Sequence, residues 1–257
     1  MRAISVHEDV IVVQSTIWRT TATIVRGGDE AFVIDSPVLP DELELLPALL
    51  EQANFTFSGL LATHGDWDHL LGRLAFPSAA LGVCETTAAR LRAHPGEAQR
   101  ELREFDERHY LERPAPLALG SVEPLPVPGY CEVGPRELEL HPAEGHTVDG
   151  MAVWVPWAGV LVCGDYLSPV EIPTPAGGID SYLATLERLE PLVAEAEHVI
   201  AGHGGPLERA TAQRLLAEDR DYLEGLAAGR EGVSALPAGR RDGEQRRLHA
   251  ENAARLG

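Results

Sequence analysis

Four side chains able to bind a metal fall within six consecutive residues of Thr63-His64-Gly65-Asp66-Trp67-Asp68-His69, directly after the apolar run Leu60 to Ala62. Imidazole and carboxylate are the donors that zinc, iron and manganese take. In an extended segment alternate side chains point the same way, so His64 and Asp66 can serve one ion while Asp68 and His69 turn toward another as a helix begins. The competing reading makes Asp68 a helix cap between two solvated histidines. Three further clusters weigh against it, because each also ends an apolar strand: Gly145-His146-Thr147, Cys163-Gly164-Asp165 and Ala201-Gly202-His203-Gly204. At each, glycine lets the backbone turn sharply while one imidazole or carboxylate is presented into a shared cleft. Thr63 and Thr147 flank these residues as hydrogen-bonding supports. Trp67 and Tyr166 adjoin them, as pocket walls or as packing. His7, His94, His141, His198 and His249 read as ordinary histidines, as does His109, although a substrate contact is conceivable for it.

The elements that must position these groups are legible in outline. Ile11 to Val13, Thr20 to Val25 and Ala31 to Ile34 read as a β-meander, the last two joined through the turn signal Gly27-Gly28-Asp29. A helix capped by Asp41 follows, with Leu43, Leu45, Leu46, Leu49 and Leu50 on roughly one face and Pro47 awkward inside it. Strand, polar loop and helix then succeed one another through the first cluster. Residues 85 to 113 are helical in character, while 114 to 129 hold five prolines and read as a connection that cannot pair inside a sheet. Residues 85 to 129 together are expected to be a lid over the metal cleft. Strands return at Leu138 to Leu140, Ala152 to Val155 and Val160 to Val162, and a helix bearing Leu183, Leu186, Leu189 and Leu192 leads to the strand His198 to Ala201. A helical tail is expected from about residue 207, partly mobile at Gly239 to Gly243.

Composition narrows the chemistry. The 257 residues suit one large domain, 1 to 257, and no apolar run is long enough to span a bilayer. The first residues do not read as a signal peptide, so a cytoplasmic location is expected. Cys84, Cys131 and Cys163 form no paired motif, which disfavours a disulfide framework. A formal net charge of -19 disfavours nucleic acid and leaves a small-molecule substrate, with the chain a monomer or homodimer. Every one of the 21 basic residues is arginine, which excludes a Schiff-base lysine and a P-loop.

The order of clusters resembles the metallo-β-lactamase superfamily, whose pattern is H-x-H-x-D-H, then a His after Gly, then Gly-Asp, then a late Gly-His. The resemblance implies a four-layer αββα sandwich. It further implies a first metal on His64, Asp66 and His146, a second on Asp68, His69 and His203, and Asp165 between them. Asp35, in Val33-Ile34-Asp35-Ser36, corresponds to the family's structural Asp near the site. The departure is Asp66, which stands where the family has its second His. Two divalent ions against three carboxylates leave about +1, where the usual five-histidine set leaves about +2. The extra oxygen donor moves preference from zinc toward iron or manganese.

Such a site implies a hydrolase in which two metals, zinc first with iron or manganese as alternatives, hold a bridging hydroxide that Asp68 orients. An ester, lactone or thioester leads as substrate, by similarity to glyoxalase II and lactonase-like members, and a small phosphodiester follows. The rival readings are a di-iron redox enzyme of oxygen, nitric oxide or persulfide chemistry, since the flavodiiron branch has a carboxylate at this position, and a metal-binding module without activity.

Overall fold

The computed structural model describes residues 1–230 and 232–255. Residues 231, 256 and 257 of the expected tail lie outside the described residues. The first sheet runs in spatial order β1 (Arg2–His7), β2 (Val10–Gln14), β3 (Thr21–Gly27), β4 (Glu30–Asp35), β5 (Thr56–Leu61), β6 (Leu81–Cys84) and β7 (Val122–Leu125). Its first four strands form an antiparallel meander, and β4 to β7 are parallel. The crossovers between parallel strands are helical: α1 (Pro40–Gln52), the short α2 (Gly72–Ala75), then α3 (Glu85–Ala93) with α4 (Glu97–His109). The second sheet runs in sequence order through β8 (Gly129–Val133), β9 (Arg136–Pro142), β10 (Met151–Val155), β11 (Val160–Val162), β12 (His198–Ile200) and β13 (Leu207–Glu208). Helix α5 (Ile179–Glu195) links the parallel pair β11 and β12, and α6 (Arg209–Ala227) and α7 (Gly243–Ala254) follow.

Strand alternation builds the layers. Val10, Val12, Val25 and Ile34 on the first sheet meet Leu138, Leu140, Val153, Val155, Val160 and Val162 on the second, all buried between the sheets. The opposite faces are covered by helices. Ala22, Ile24 and Val33 pack with Leu43, Leu46 and Leu50 of α1 and with Leu102 and Phe105 of α4. Ala152, Trp154 and Leu161 pack with Leu186 and Leu189 of α5 and with Leu215 of α6. Each such buried aliphatic side chain contributes roughly 1.5–3 kcal/mol, and the outcome is the expected αββα sandwich.

The differences from expectation have local causes. β1 pairs with β2 ahead of the expected meander. Helix α1 begins at Pro40 after Leu39, and Glu42 rather than Asp41 reaches back to the cap; Pro47 sits inside it. The proline-rich connection does pair in a sheet: β7, with Pro124, lies against β6 as the edge strand, where proline's missing N–H is tolerated. Helix α5 buries Tyr182, Leu186, Leu189 and Val193, whereas Leu183 and Leu192 are only partly buried. The stretch at Gly239 to Gly243 is anchored, because Arg240 is buried and Asp242 caps α7 by accepting from the Glu244 and Gln245 amides.

The two sheets are tied together at one end. Met151 N donates to Thr63 O at 2.7 Å, and Thr21 N donates to Gly202 O at 2.7 Å. That end carries the carboxyl termini of the parallel pairs β4 with β5 and β11 with β12, which is where open parallel sheets place their ligand sites.

Candidate metal centre

Each of the seven expected residues leaves a strand end or the turn after it, and the structure brings all seven together. Beyond β5 the chain bends through residues 63–65, which include His64, reaches Asp66 in extended conformation, and then makes a 3-10 turn over Trp67–His69. Asp66 precedes that turn without using its side chain as a cap, and Asp68 lies within it. The capping alternative for these carboxylates is therefore not what the fold uses. Asp165 follows β11 and His203 follows β12. Gly202 has a clear reason: a Cβ there would occupy the place of Asp165 Oδ1.

The donor atoms form two groups around Asp165. In the first, Asp66 Oδ2 lies 3.6 Å from His64 Nε2 and 3.5 Å from His146 Nε2, and Asp165 Oδ2 lies 3.7 and 3.3 Å from the same nitrogens. In the second, Asp68 Oδ2 lies 3.7 Å from His69 Nε2 and 3.4 Å from His203 Nε2. Asp165 completes it at 3.2 Å from His69 and 3.4 Å from His203. A tetrahedral shell with bonds of about 2.0–2.1 Å places neighbouring donors about 3.3–3.4 Å apart, so both groups are spaced as metal shells are. The buried atoms His64 Nε2, His69 Nε2 and Asp165 Oδ1 have no hydrogen-bond partner within the protein, as metal donors should not. The residues present thus fit divalent cations: His64, Asp66 and His146 could hold one, and Asp68, His69 and His203 another.

Three of the four outward nitrogens meet a neighbour, and His146 Nδ1 is buried without a hydrogen-bond partner among the described residues. His64 Nδ1 lies 3.0 Å from Thr63 Oγ1, which donates in turn to Asp35. Asp35 Oδ2 lies 3.1 Å from His69 Nδ1. His203 Nδ1 meets Trp18 O at 3.1 Å. Such contacts fix tautomer and ring orientation and aim Nε2 inward. Tyr166 supports His146 from below, since its hydroxyl accepts the His146 amide and donates to Ala143 O. It is packing, not pocket wall. Thr147 donates to Asp149 O and so fixes its own turn rather than a ligand.

Charges inside the cluster are strongly coupled. Burial would raise the pKa of Asp165, but His203, His69, His64 and His146 hold it well below the usual carboxylate range. Burial likewise opposes ionisation of Asp66, and the hydrogen bonds and charges of His146 and His64 overcome it. Burial would depress His203, yet Asp165, Glu171 and Asp68 push it up to about 10. His69 is also raised, by Asp165, Asp68 and Asp35 against its burial.

Above the donors lies a cleft of about 260 Å³ bordered by Trp18, Glu171 and, from α7, Gln245, Arg247 and Leu248. Sequence reading missed this wall, since nothing in α7 marks it as near the site. It also missed Arg90, which pairs with Asp66 at 2.8 Å, and Asp149, which carried a faint signal in following His146 by three residues. Among the described residues the other six histidines belong to no donor group close enough to share an ion. His109 lies against Phe105, which in turn touches Trp67 and Trp18.

Comparisons with known proteins bear on the fold and the family. A metallo-beta-lactamase family protein from Thermus thermophilus superposes with a TM-score of 0.68 at 21% identity, over 98% of this chain and 93% of that one. The metallo-beta-lactamase from Pontibacter korlensis gives 0.60 at 17% identity, over 84% and 98%. At such identities the likeness shows the fold. Residues 16–203, which carry the donors from His64 to His203, match the profile of the metallo-beta-lactamase superfamily, and the chain belongs to that superfamily.

Proposed function

We propose that the chain is a metal-dependent hydrolase of small molecules, holding one divalent ion on His64, Asp66 and His146, a second on Asp68, His69 and His203, and sharing Asp165 between them. The observation that carries the proposal is the convergence of four imidazole Nε2 atoms and three carboxylates at donor spacing, with their outward nitrogens largely tied down. Zinc leads as the metal, with iron and manganese as alternatives. When bound, two such ions supply an acidified water and Lewis-acid polarisation of the scissile group.

The chain's own groups then have distinct tasks. Asp68 borders the cleft, and it is the residue assigned to orient the attacking water and carry its proton to the leaving group. Asp35 and Thr63 hold His64 and His69 in place. Trp18 offers an aromatic wall, and Arg247, Glu244 and Glu171 also line this cleft, which is sized for a small substrate. Helix α3 of the expected lid reaches Asp66 through Arg90. An ester, lactone or thioester is the proposed substrate class, with a small phosphodiester second. Among the described residues no helix is long and apolar enough to cross a membrane.

The test is a panel of esters, lactones, thioesters, phosphodiesters and a β-lactam, assayed with protein reloaded separately with zinc, manganese and iron. His203→Ala serves as control and elemental analysis as the check on occupancy. Two ions per chain and turnover abolished by His203→Ala are expected. One ion or fewer at metal excess, or turnover that survives in the variant, would refute the assignment.

A further inference from the structure

Counted from sequence, Asp66 adds an extra negative charge at the first metal. The fold sets a cation against it. Arg90, on α3, points Nη2 at Asp66 Oδ1 from 2.8 Å, while its Nη1 donates to Asp149 Oδ1 at 2.9 Å. Asp149 is buried, and its other oxygen accepts from Thr87 Oγ1 at 2.6 Å and from Gly65 N at 2.9 Å. Thr87 and Arg90 belong to α3, Gly65 to the donor loop, and Asp149 to the turn that carries His146. One buried carboxylate therefore knots three segments and fixes one arm of the guanidinium. Gly65 leaves the necessary room, since a Cβ there would lie 3.1 Å from Asp149 Oδ2 and 3.5 Å from Arg90 Cδ.

The two oxygens of Asp66 are thereby divided. Oδ1 faces Arg90, and Oδ2 faces His64 and His146. A carboxylate without such a partner can offer a metal one oxygen or both, together with its full charge. We propose that Arg90 makes Asp66 a one-oxygen donor whose charge is partly cancelled, so that the Asp66–Arg90 pair stands in for the neutral imidazole of the common pattern. On this account Arg90 is a positioning residue acting through Asp66. It keeps the first corner suited to four-coordinate zinc rather than to manganese, which prefers six oxygen-rich ligands. The inference rests on Asp66 being a metal donor, as proposed above.

The test compares Arg90→Gln, Arg90→Lys, Asp66→His, Asp66→Ala and the double variant Arg90→Gln/Asp66→His, each with the parent. Chelator competition gives zinc and manganese affinities, and cobalt loading adds a spectroscopic readout because four-coordinate cobalt absorbs far more strongly than six-coordinate cobalt. Arg90→Gln should move the zinc-to-manganese preference toward manganese by about tenfold, the lower end of the range for partners that orient ligands, since this pair is partly exposed. It should also weaken the cobalt band, with Arg90→Lys intermediate. In the Asp66→His background, where there is no carboxylate to restrain, Arg90→Gln should cause no such shift. An unchanged preference at full occupancy overturns the proposal. So does an equal shift in both backgrounds, which would locate the effect of Arg90 in the Asp149 knot. Asp66→Ala separates the two levels: retention of both ions at parental affinity removes Asp66 as a donor, and loss of an ion beside a neutral Arg90→Gln removes only the role of Arg90. If Arg90→Gln fails to fold, Arg90→Lys in both backgrounds carries the same comparison, with a smaller shift that must vanish beside His at position 66.

Discussion

Asp35 Oδ2 lies 3.1 Å from Nδ1 of His69, while Oδ1 of the same carboxylate accepts the Thr63 amide at 2.8 Å. One residue at the end of β4 thus orients two donors, His69 by direct contact and His64 through Thr63. Its backbone is held at a φ of 60°, a region that costs of order 1–3 kcal/mol for a residue with a side chain and marks a position fixed by its surroundings.

Asp35→Asn should keep the shape and lose the charge that faces His69. Metal affinity is expected to fall by about 10–100-fold, the usual effect of removing a partner that orients a ligand. Chelator competition at fixed pH would measure it. Affinity equal to the parent's, with the variant folded, would show that packing alone holds the two rings.

The cluster of candidate donors was legible in the sequence because such a group concentrates rare residue types at strand ends, where glycine accompanies them. His64 through His69 announce themselves in six positions, and His146, Asp165 and His203 each follow or adjoin a glycine. Asp35 was legible only through the family resemblance. Arg90 was not legible, because an arginine on a charged helix is ordinarily a solvated residue, and its partner lies 24 positions away in another element. The α7 wall escaped for a related reason. Its docking depends on buried polar contacts, Gln245 accepting from the Ile172 amide and Asn252 donating to Pro173 O, that leave no apolar periodicity to read. β7 was hidden by Pro124, which excludes a central strand yet fits an edge.

Metal uptake should release protons. Burial would lower the pKa values of His69, His146 and His203, but Asp165 and the carboxylates beside it raise all three above the ordinary 6.5, so they are expected to hold protons at pH 6.5 before a metal binds. An imidazole must lose that proton to donate its lone pair. Zinc added to chelator-stripped protein at pH 6.5 should displace more than one proton per chain, and affinity should weaken as pH falls. Titration calorimetry in two buffers of different ionisation heat counts the protons. Uptake without release would mean that the imidazoles are already neutral.

Arg240 pins the segment before α7. Its Nη1 lies 2.6 Å from Asp219 and donates to Glu171 O at 2.8 Å, both charged side chains being almost wholly inaccessible. Arg240→Ala leaves Asp219 buried without its cation, a change expected to cost about 3–5 kcal/mol. Burial already pushes Asp219 up to about 6 against the pull of Arg240, so the uncompensated carboxyl can shed its charge by taking up a proton. The deficit in urea unfolding should therefore be largest above pH 6 and shrink below it. The double variant Arg240→Met/Asp219→Leu should recover most of the loss. Equal deficits at pH 5 and pH 8 would rule out a charge-based cost.

Glu42 offers a second, opposite pH dependence. Its carboxylate is buried and accepts from Ser15 Oγ at 2.6 Å, Thr16 Oγ1 at 2.6 Å and Thr16 N at 2.9 Å, joining α1 to the loop before β3. Burial would raise its pKa, but the Ser15 and Thr16 hydrogen bonds prevail and hold it below 4.5. Because the folded value is the lower one, the folded state binds this proton less tightly than the unfolded chain does. The stabilisation is then fully present above 4.5 and is lost as pH falls through the folded value. Glu42→Gln replaces an acceptor-only group with an amide whose NH2 meets donors, so it should cost about 1–3 kcal/mol at pH 7. The same loop carries Trp18, whose carbonyl meets His203, so a weaker hold on the second metal should accompany the loss. Urea unfolding of parent and variant at pH 7 and at pH 3.5 tests the sign: the gap between them should narrow at the lower pH, because the unfolded parent takes up a proton there that the folded state resists. A gap that stays constant would assign the effect to shape and not to the charge of Glu42.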